Sequence, residues 1–221
     1  MKKLFSVLAL ATFMVAAFNS NAQLGVNFGY APETLTQKTT SGSTTVTTTS
    51  KTQGLFLGLN YNMKVTGDLK LSLGGQLRYN FSNNADNVNF FGLASGNNKV
   101  KTTQIYLDVP VLFNYGLNLS NDLSISFFAG PTLIFALYGN QHVTTTATLL
   151  GASATTETDY DYYGDNGNYN SFDISATAGA SLGYKELRLF GGYRYGLLNQ
   201  YKGDNTTCLI DGFFFGLGYK L

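Results

Sequence analysis

The sequence predicts an all-β protein, an eight-stranded antiparallel transmembrane β-barrel with both termini periplasmic and four long external loops. Three observations carry that expectation. The first is residues 69–81, LKLSLGGQLRYNF, in which Leu69, Leu71, Leu73, Gly75, Leu77, Tyr79 and Phe81 alternate with Lys70, Ser72, Gly74, Gln76, Arg78 and Asn80. A period of two means a strand with one apolar and one polar face, and this one is about twice the usual length in soluble sheets. The second is that such segments recur down the chain, with short and long connections taking turns. The third is an export signal at the N-terminus.

That signal occupies residues 1–22. Lys2 and Lys3 form a basic region, residues 4–18 an apolar one, and Ser20 and Ala22 fit the small-residue rule for cleavage before Gln23. The apolar run is too short for a spanning helix, and no cysteine stands at the cleavage site to carry a lipid. Residues 23–221 then form one barrel domain. Charged residues make up 12% of the sequence, where soluble domains carry about a quarter. The chain has 15 Tyr, 17 Phe and 25 Gly but no Trp, a composition suited to a membrane barrel with aromatic girdles. The formal charge is +1 for the whole chain, and loss of Lys2 and Lys3 makes it −1. A near-neutral chain has no electrostatic footprint for nucleic acid. Cys208 is alone, so no intrachain disulfide forms.

The strands follow in order. Residues 24–30 put Leu24, Val26, Phe28 and Tyr30 on one face; a Thr- and Ser-rich loop, 34–52, follows, whose threonines could extend the flanking strands into a hairpin. The second strand, 53–63, turns through Thr66, Gly67 and Asp68 into the third, 69–81. After a polar loop at 83–99, the fourth strand, 102–115, sets Ile105, Leu107, Val109, Val111, Phe113 and Tyr115 against Gln104, Tyr106, Asp108, Pro110, Leu112 and Asn114. Pro110 cannot donate to a ladder, so a bulge or bend is expected there, and Gly130-Pro131 marks another in the fifth strand, 123–138. Residues 139–171 form the longest loop. The sixth strand, 172–184, the seventh, 187–197, and the eighth, 209–221, complete the set. Short turns after strands two, four and six face the periplasm, and the long connections face outward. Closure satisfies the backbone in lipid and removes sheet edges.

Several segments resemble the PorT-like outer-membrane β-barrel family of Gram-negative bacteria. They are Tyr106-Leu107-Asp108-Val109-Pro110, Phe172-Asp173-Ile174 with Gly179 and Gly183, the stretch FGGYRYGLLNQ at 190–200, and the terminal Gly216, Tyr219 and Leu221. The resemblance implies insertion by the barrel-assembly machinery, a bacterial outer-membrane location, and roles that vary among members, including accessory work in secretion or envelope assembly.

Counting from the periplasmic turns sets the inward Arg78, Asp108 and Arg194 at similar heights. The interior of an eight-stranded barrel is just wide enough to be filled by side chains, and charges there must be paired. The expectation is an Arg–Asp–Arg network that plugs the lumen, with Asp108 touching Arg78 or Arg194. Lys64, Lys70, Arg188 and Lys220 read as a solvated periplasmic rim rather than an anion site. The only histidine, His142, falls at the third external loop and specifies no hydrolytic partner. Asp159, Asp161, Gly164 and Asp165 imitate part of a calcium loop, but Tyr163 and Asn170 stand where ligands belong. Tyr160, Tyr162, Tyr163 and Tyr169 offer aromatic contacts to a partner or glycan. The reading is therefore non-enzymatic and free of cofactor and metal. It is a structural or interaction barrel in contact with outer-membrane lipid, its external loops open to an extracellular or envelope protein. A narrow porin-like channel for ions or small solutes is the alternative.

Overall fold

The structure, a computed structural model, describes residues 23–90, 94–149, 152–165 and 167–221. The export signal at 1–22 lies outside the described residues. Those described form ten strands: β1 (Gln23–Tyr30), β2 (Glu33–Ser41), β3 (Thr44–Thr66), β4 (Leu69–Phe90), β5 (Ala94–Asn118), β6 (Leu123–Leu149), β7 (Ala152–Asp161), β8 (Phe172–Tyr184), β9 (Leu187–Gly196) and β10 (Thr206–Lys220). Every pairing is antiparallel, and β10 bonds to both β9 and the β1–β2 stretch, so the sheet closes into a ring. Eight staves make that ring. β1 and β2 are one stave interrupted at Ala31-Pro32, since Tyr30 faces Leu55 and Glu33 faces Thr52 with no slip of register. β7 pairs only with β6 and stands outside the ring.

Alternation decides which way each side chain points. Along β4, Ser72, Gly74, Arg78 and Asn80 are buried while Leu77, Tyr79 and Phe81 are exposed. The most exposed large apolar side chains, such as Phe213 at 66% and Leu57 at 61%, belong to this outer face. In water that would be costly, but lipid makes it the stable arrangement. Outward rings pair at the external rim: Tyr193 with Phe213 (4.9 Å between centroids), Phe135 with Phe172 (5.2 Å) and Tyr30 with Phe215 (5.4 Å). Tyr115, Tyr184 and Tyr219 stand exposed near the periplasmic ends. Two aromatic belts of this kind mark the bilayer interfaces.

Two expectations about the backbone are corrected. Neither Pro110 nor Gly130-Pro131 carries a bulge. The β5–β6 register is the same on both sides of Pro110, and β6 meets β8 without interruption through Pro131. The slip lies between Ile105 and Tyr106, opposite the extra residue Leu137, which leaves Leu137 and Tyr138 both facing outward. Proline only removes a ladder bond, and adjoining glycines absorb the gap without adding a residue. The polar segments 83–99 and 139–171 are also strand for most of their length. β4 and β5 stay paired to Phe90 and Ala94, and β6 and β7 to Leu149 and Ala152. Their Thr residues suit a pleated surface, and neighbouring strands supply the backbone partners that a solitary loop would lack.

Candidate functional site: a filled lumen beneath an external sheet

The interior is layered. At mid-height six apolar side chains, Ala31, Phe56, Leu112, Phe128, Phe190 and Phe214, pack across the bore. Four rings cannot meet across a ring of strands unless space is cleared beside them, and glycines clear it. Gly29 and Gly216 face each other on β1 and β10. A Cβ on Gly29 would stand 2.5 Å from the Phe56 ring, and one on Gly216 would stand 2.8 Å from the Phe190 ring. The two rings reach over these bare backbones to within 6.1 Å of each other. Gly179 and Gly192 do the same for Phe128 and Phe214, whose rings lie 6.1 Å apart.

Above this layer lies a charge lattice. Arg78 donates from Nε and Nη2 to the two oxygens of Asp108 at 2.8 and 3.1 Å, a bidentate fork, while Arg194 Nη1 donates to Oδ2 at 3.1 Å. All three residues singled out by alternation therefore meet. Two guanidiniums against one carboxylate would leave a buried surplus of charge, and Glu33 supplies the balance. It pairs with Arg78, lies 3.6 Å from Arg194 Nη1, and accepts from Asn80. Gly212 lies between Glu33 and Arg194 on the sheet, and a Cβ there would stand 3.2 Å from Glu33 Cγ. The Arg78 guanidinium also stacks 4.3 Å from the Tyr106 ring centre. Arg78 is 2% exposed and Asp108 0%, so the lattice takes little help from bulk water. The cavity between Arg78, Tyr106 and Asp173 measures about 10 Å³, room for about one water.

Glu33 was missed because it follows Pro32, where the strand pattern breaks. The parity of Gly25, Asn27, Gly29 and Ala31 continues to it, and the imbalance of charge calls for it.

The external mouth is covered by residues 162–165 and 167–170. Tyr163 hydrogen-bonds the hydroxyl of Tyr106 at 2.7 Å and accepts from Gln104 at 3.2 Å. Tyr162 stacks on Tyr169 at 4.9 Å, and Tyr169 meets Tyr201 edge-on at 5.6 Å. Three of the four tyrosines expected as partner contacts are thus spent on closing the barrel, and Tyr160 remains exposed. Burial pushes the Tyr163 phenol well above its usual 10.0. Its neutral form is favoured in the closed loop, so closure is unchanged at neutral pH. It weakens above about pH 10, where the phenol of an opened loop ionises. Burial raises Tyr162 and Tyr169 as well, so a tyrosine absorbance titration of the refolded barrel should show these loop phenols ionising later than in unfolded protein, with one fewer in Tyr163→Phe. Tyr163→Phe should cost about 1 kcal/mol of stability.

Parts of the calcium-like segment have other partners. Lys202 Nζ donates to the carbonyls of Gly164 and Gly167 at 2.6 and 2.8 Å, and Asp159 takes His142 Nδ1 at 2.8 Å. Thr144 Oγ1 lies 3.4 Å from His142 Nε2, so hydroxyl, imidazole and carboxylate stand in series. All three lie on the β6–β7 hairpin, where Asp159 is 67% exposed.

Beyond the belts, β4, β5, β6 and β7 continue as a four-stranded sheet. Residues 140–149 of β6 extend roughly 30 Å at the strand rise. All ten residues of β7 are exposed. Among the described residues, the far side of β7 and the side of β4 beyond Phe81 have no strand partner.

The family described as "Outer membrane protein beta-barrel domain" matches residues 16–201. Among solved structures, Ail, the attachment invasion locus protein of Yersinia pestis, is 13% identical with a TM-score of 0.34, the match covering 91% of this chain and 99% of that one. Neisserial surface protein A is 13% identical at 0.37, covering 88% and 97%. The outer membrane enzyme PagL is 10% identical at 0.40, covering 86% and 99%. No curated protein sequence matches the chain.

Proposed function

The chain belongs to this outer-membrane β-barrel family and resides in the bacterial outer membrane, and from that premise we propose that it is a non-enzymatic barrel, closed to solutes, whose projecting sheet docks an extracellular or envelope protein. The observation that carries the reading is the contrast between the two regions. The bore is filled by four phenylalanines and a balanced charge lattice, while the sheet outside ends in two unpaired strand edges. Unpaired edges bind extended segments by main-chain hydrogen bonds. Glu157, Asp159 and Asp161 on β7 disfavour pairing of β7 with a second β7 and leave a neutral or basic strand as the better partner.

The PorT-like resemblance supports a narrower form, in which the partner belongs to secretion or envelope-assembly machinery. Its Tyr106-Leu107-Asp108-Val109-Pro110 motif sets Tyr106, Asp108 and Pro110 into the bore, so the resemblance lies in what fills the barrel. The C-terminal strand, with Tyr219 exposed, suits capture by the barrel-assembly machinery during insertion.

The test is conductance. Refolded protein in planar bilayers should show no steady openings; stable ohmic steps would overturn the closed-barrel reading in favour of a narrow pore. Lipid deacylation should be undetectable in both the wild type and His142→Ala, and activity lost in the variant would make the His142 series catalytic.

A further inference from the structure

The periplasmic end of the bore is built unlike the rest. Below the phenylalanines, a cavity of about 300 Å³ opens towards the short turns, lined by Asn27, Asn60, Lys70, Asn114, Arg188 and Lys220 among others. The packed phenylalanine layer separates it from the external mouth, so it is a blind pocket and not the start of a path. Lys70, Arg188 and Lys220 on its wall form no salt bridge among the described residues. Arg188, with five donors, donates to Asn27 Oδ1 at 3.4 Å, and no acidic group pairs with it among the described residues. Gly218 between the two strands leaves that opening, since a Cβ there would meet both Asn27 and Arg188. Lys70 stands directly across from Lys64 on β3, and Lys220 adds a third like charge nearby. Opposed like charges on neighbouring strands are destabilising. Among the described residues three acids stand at this end, Asp122 and Glu186 on the cavity's lip and Asp68 in the turn near Lys70, all exposed to solvent. The charge lattice above shows the contrary practice, each guanidinium there having a carboxylate.

We infer that this vestibule is a binding pocket for a phosphate group carried on a small polar molecule or a lipid headgroup. A doubly charged oxyanion answers several cations at once. An arginine fork fits its oxygens, and the amides of Asn60 and Asn114 suit the hydroxyls of the carrier. The volume lies at the lower end of the range for ligand pockets, more than a bare phosphate fills.

Calorimetry on the refolded barrel in a non-ionic detergent tests this with two phosphomonoester probes, glycerol 1-phosphate and dihexanoyl phosphatidic acid. Saturable binding of either supports the pocket; the soluble ester binding alone identifies a free phosphate compound, and the lipid alone a headgroup. Arg188→Gln and Lys70→Gln should each weaken binding at least about tenfold, the loss of one charge-assisted hydrogen bond. Lys202→Gln, in the external loops, should leave it unchanged. Heat-modifiable migration on gels confirms that each variant is folded. Binding of neither probe, or equal binding by wild type and both vestibule variants, would overturn the inference.

Discussion

Replacing Asp108 with asparagine should lower the unfolding free energy of the refolded barrel by about 3–5 kcal/mol, the usual cost of orphaning a buried charge. The size follows from position. Asp108 is fully buried and is the one carboxylate that receives a bidentate fork from Arg78 and a further donor from Arg194. An amide in its place returns one acceptor and one donor, so a guanidinium faces an N–H, and Glu33 must serve two cations. Urea unfolding in lipid vesicles, followed by circular dichroism, reads the loss. The double substitution Arg78→Met with Asp108→Leu should cost less than Asp108→Asn alone, because it removes a charge with its partner and leaves Arg194 beside Glu33. A loss below about 1 kcal/mol for Asp108→Asn would mean that water screens the lattice.

The second large effect is expected at Gly216. A Cβ there would lie 2.4 Å from the carbonyl oxygen of Phe28 and 2.8 Å from the Phe190 ring. Gly216→Val must therefore spread β10 from β1 and push Phe190 off the Gly29–Gly216 pair. Overpacking of this kind costs about 1–3 kcal/mol. Phe190→Ala in the same chain should recover only part of it, since the carbonyl clash is with backbone. Gly96 on β5, where an added Cβ would meet no atom within 4 Å, shows by contrast that space is the issue at Gly216.

How far the sequence revealed this arrangement depended on what kind of signal each part had. Leu69 to Phe81 announced its faces because lipid and lumen impose opposite polarity at every second residue, and the inward Arg78 and Asp108 followed from parity alone. The phase of residues 123–138 was not readable. Apolar residues stand on both faces there, Phe128 and Ile134 in the bore beside outward Phe127 and Phe135, and the slip opposite Leu137 changes the parity only at the stretch's end. Pro110 and Pro131 suggested bulges, yet proline records only a missing N–H, which an unshifted ladder tolerates. Glu33 escaped because Pro32 broke the alternation just before it. The length of the external sheet was hidden for a different reason: Thr, Ser and Asn are common to loops and to solvated strands, and the pairing partner decides between them. Residues 140–149 are strand because β5 and β7 flank them. The tyrosines of residues 160–169 could be counted, but only the fold back over the mouth separates those that pack from Tyr160.

The central claim is that this barrel is inside out, with leucines in lipid and a packed interior, and the absence of tryptophan from the sequence permits a direct test. One tryptophan is introduced at Leu77, which is 57% exposed on the outer face, or at Ile134, which is 6% exposed in the bore. Each protein is folded into vesicles of lipids brominated along their acyl chains, and tryptophan fluorescence is compared with that in unbrominated vesicles. Leu77→Trp should be strongly quenched and Ile134→Trp should retain its emission. Equal quenching at both sites, or quenching at Ile134 alone, would contradict the arrangement.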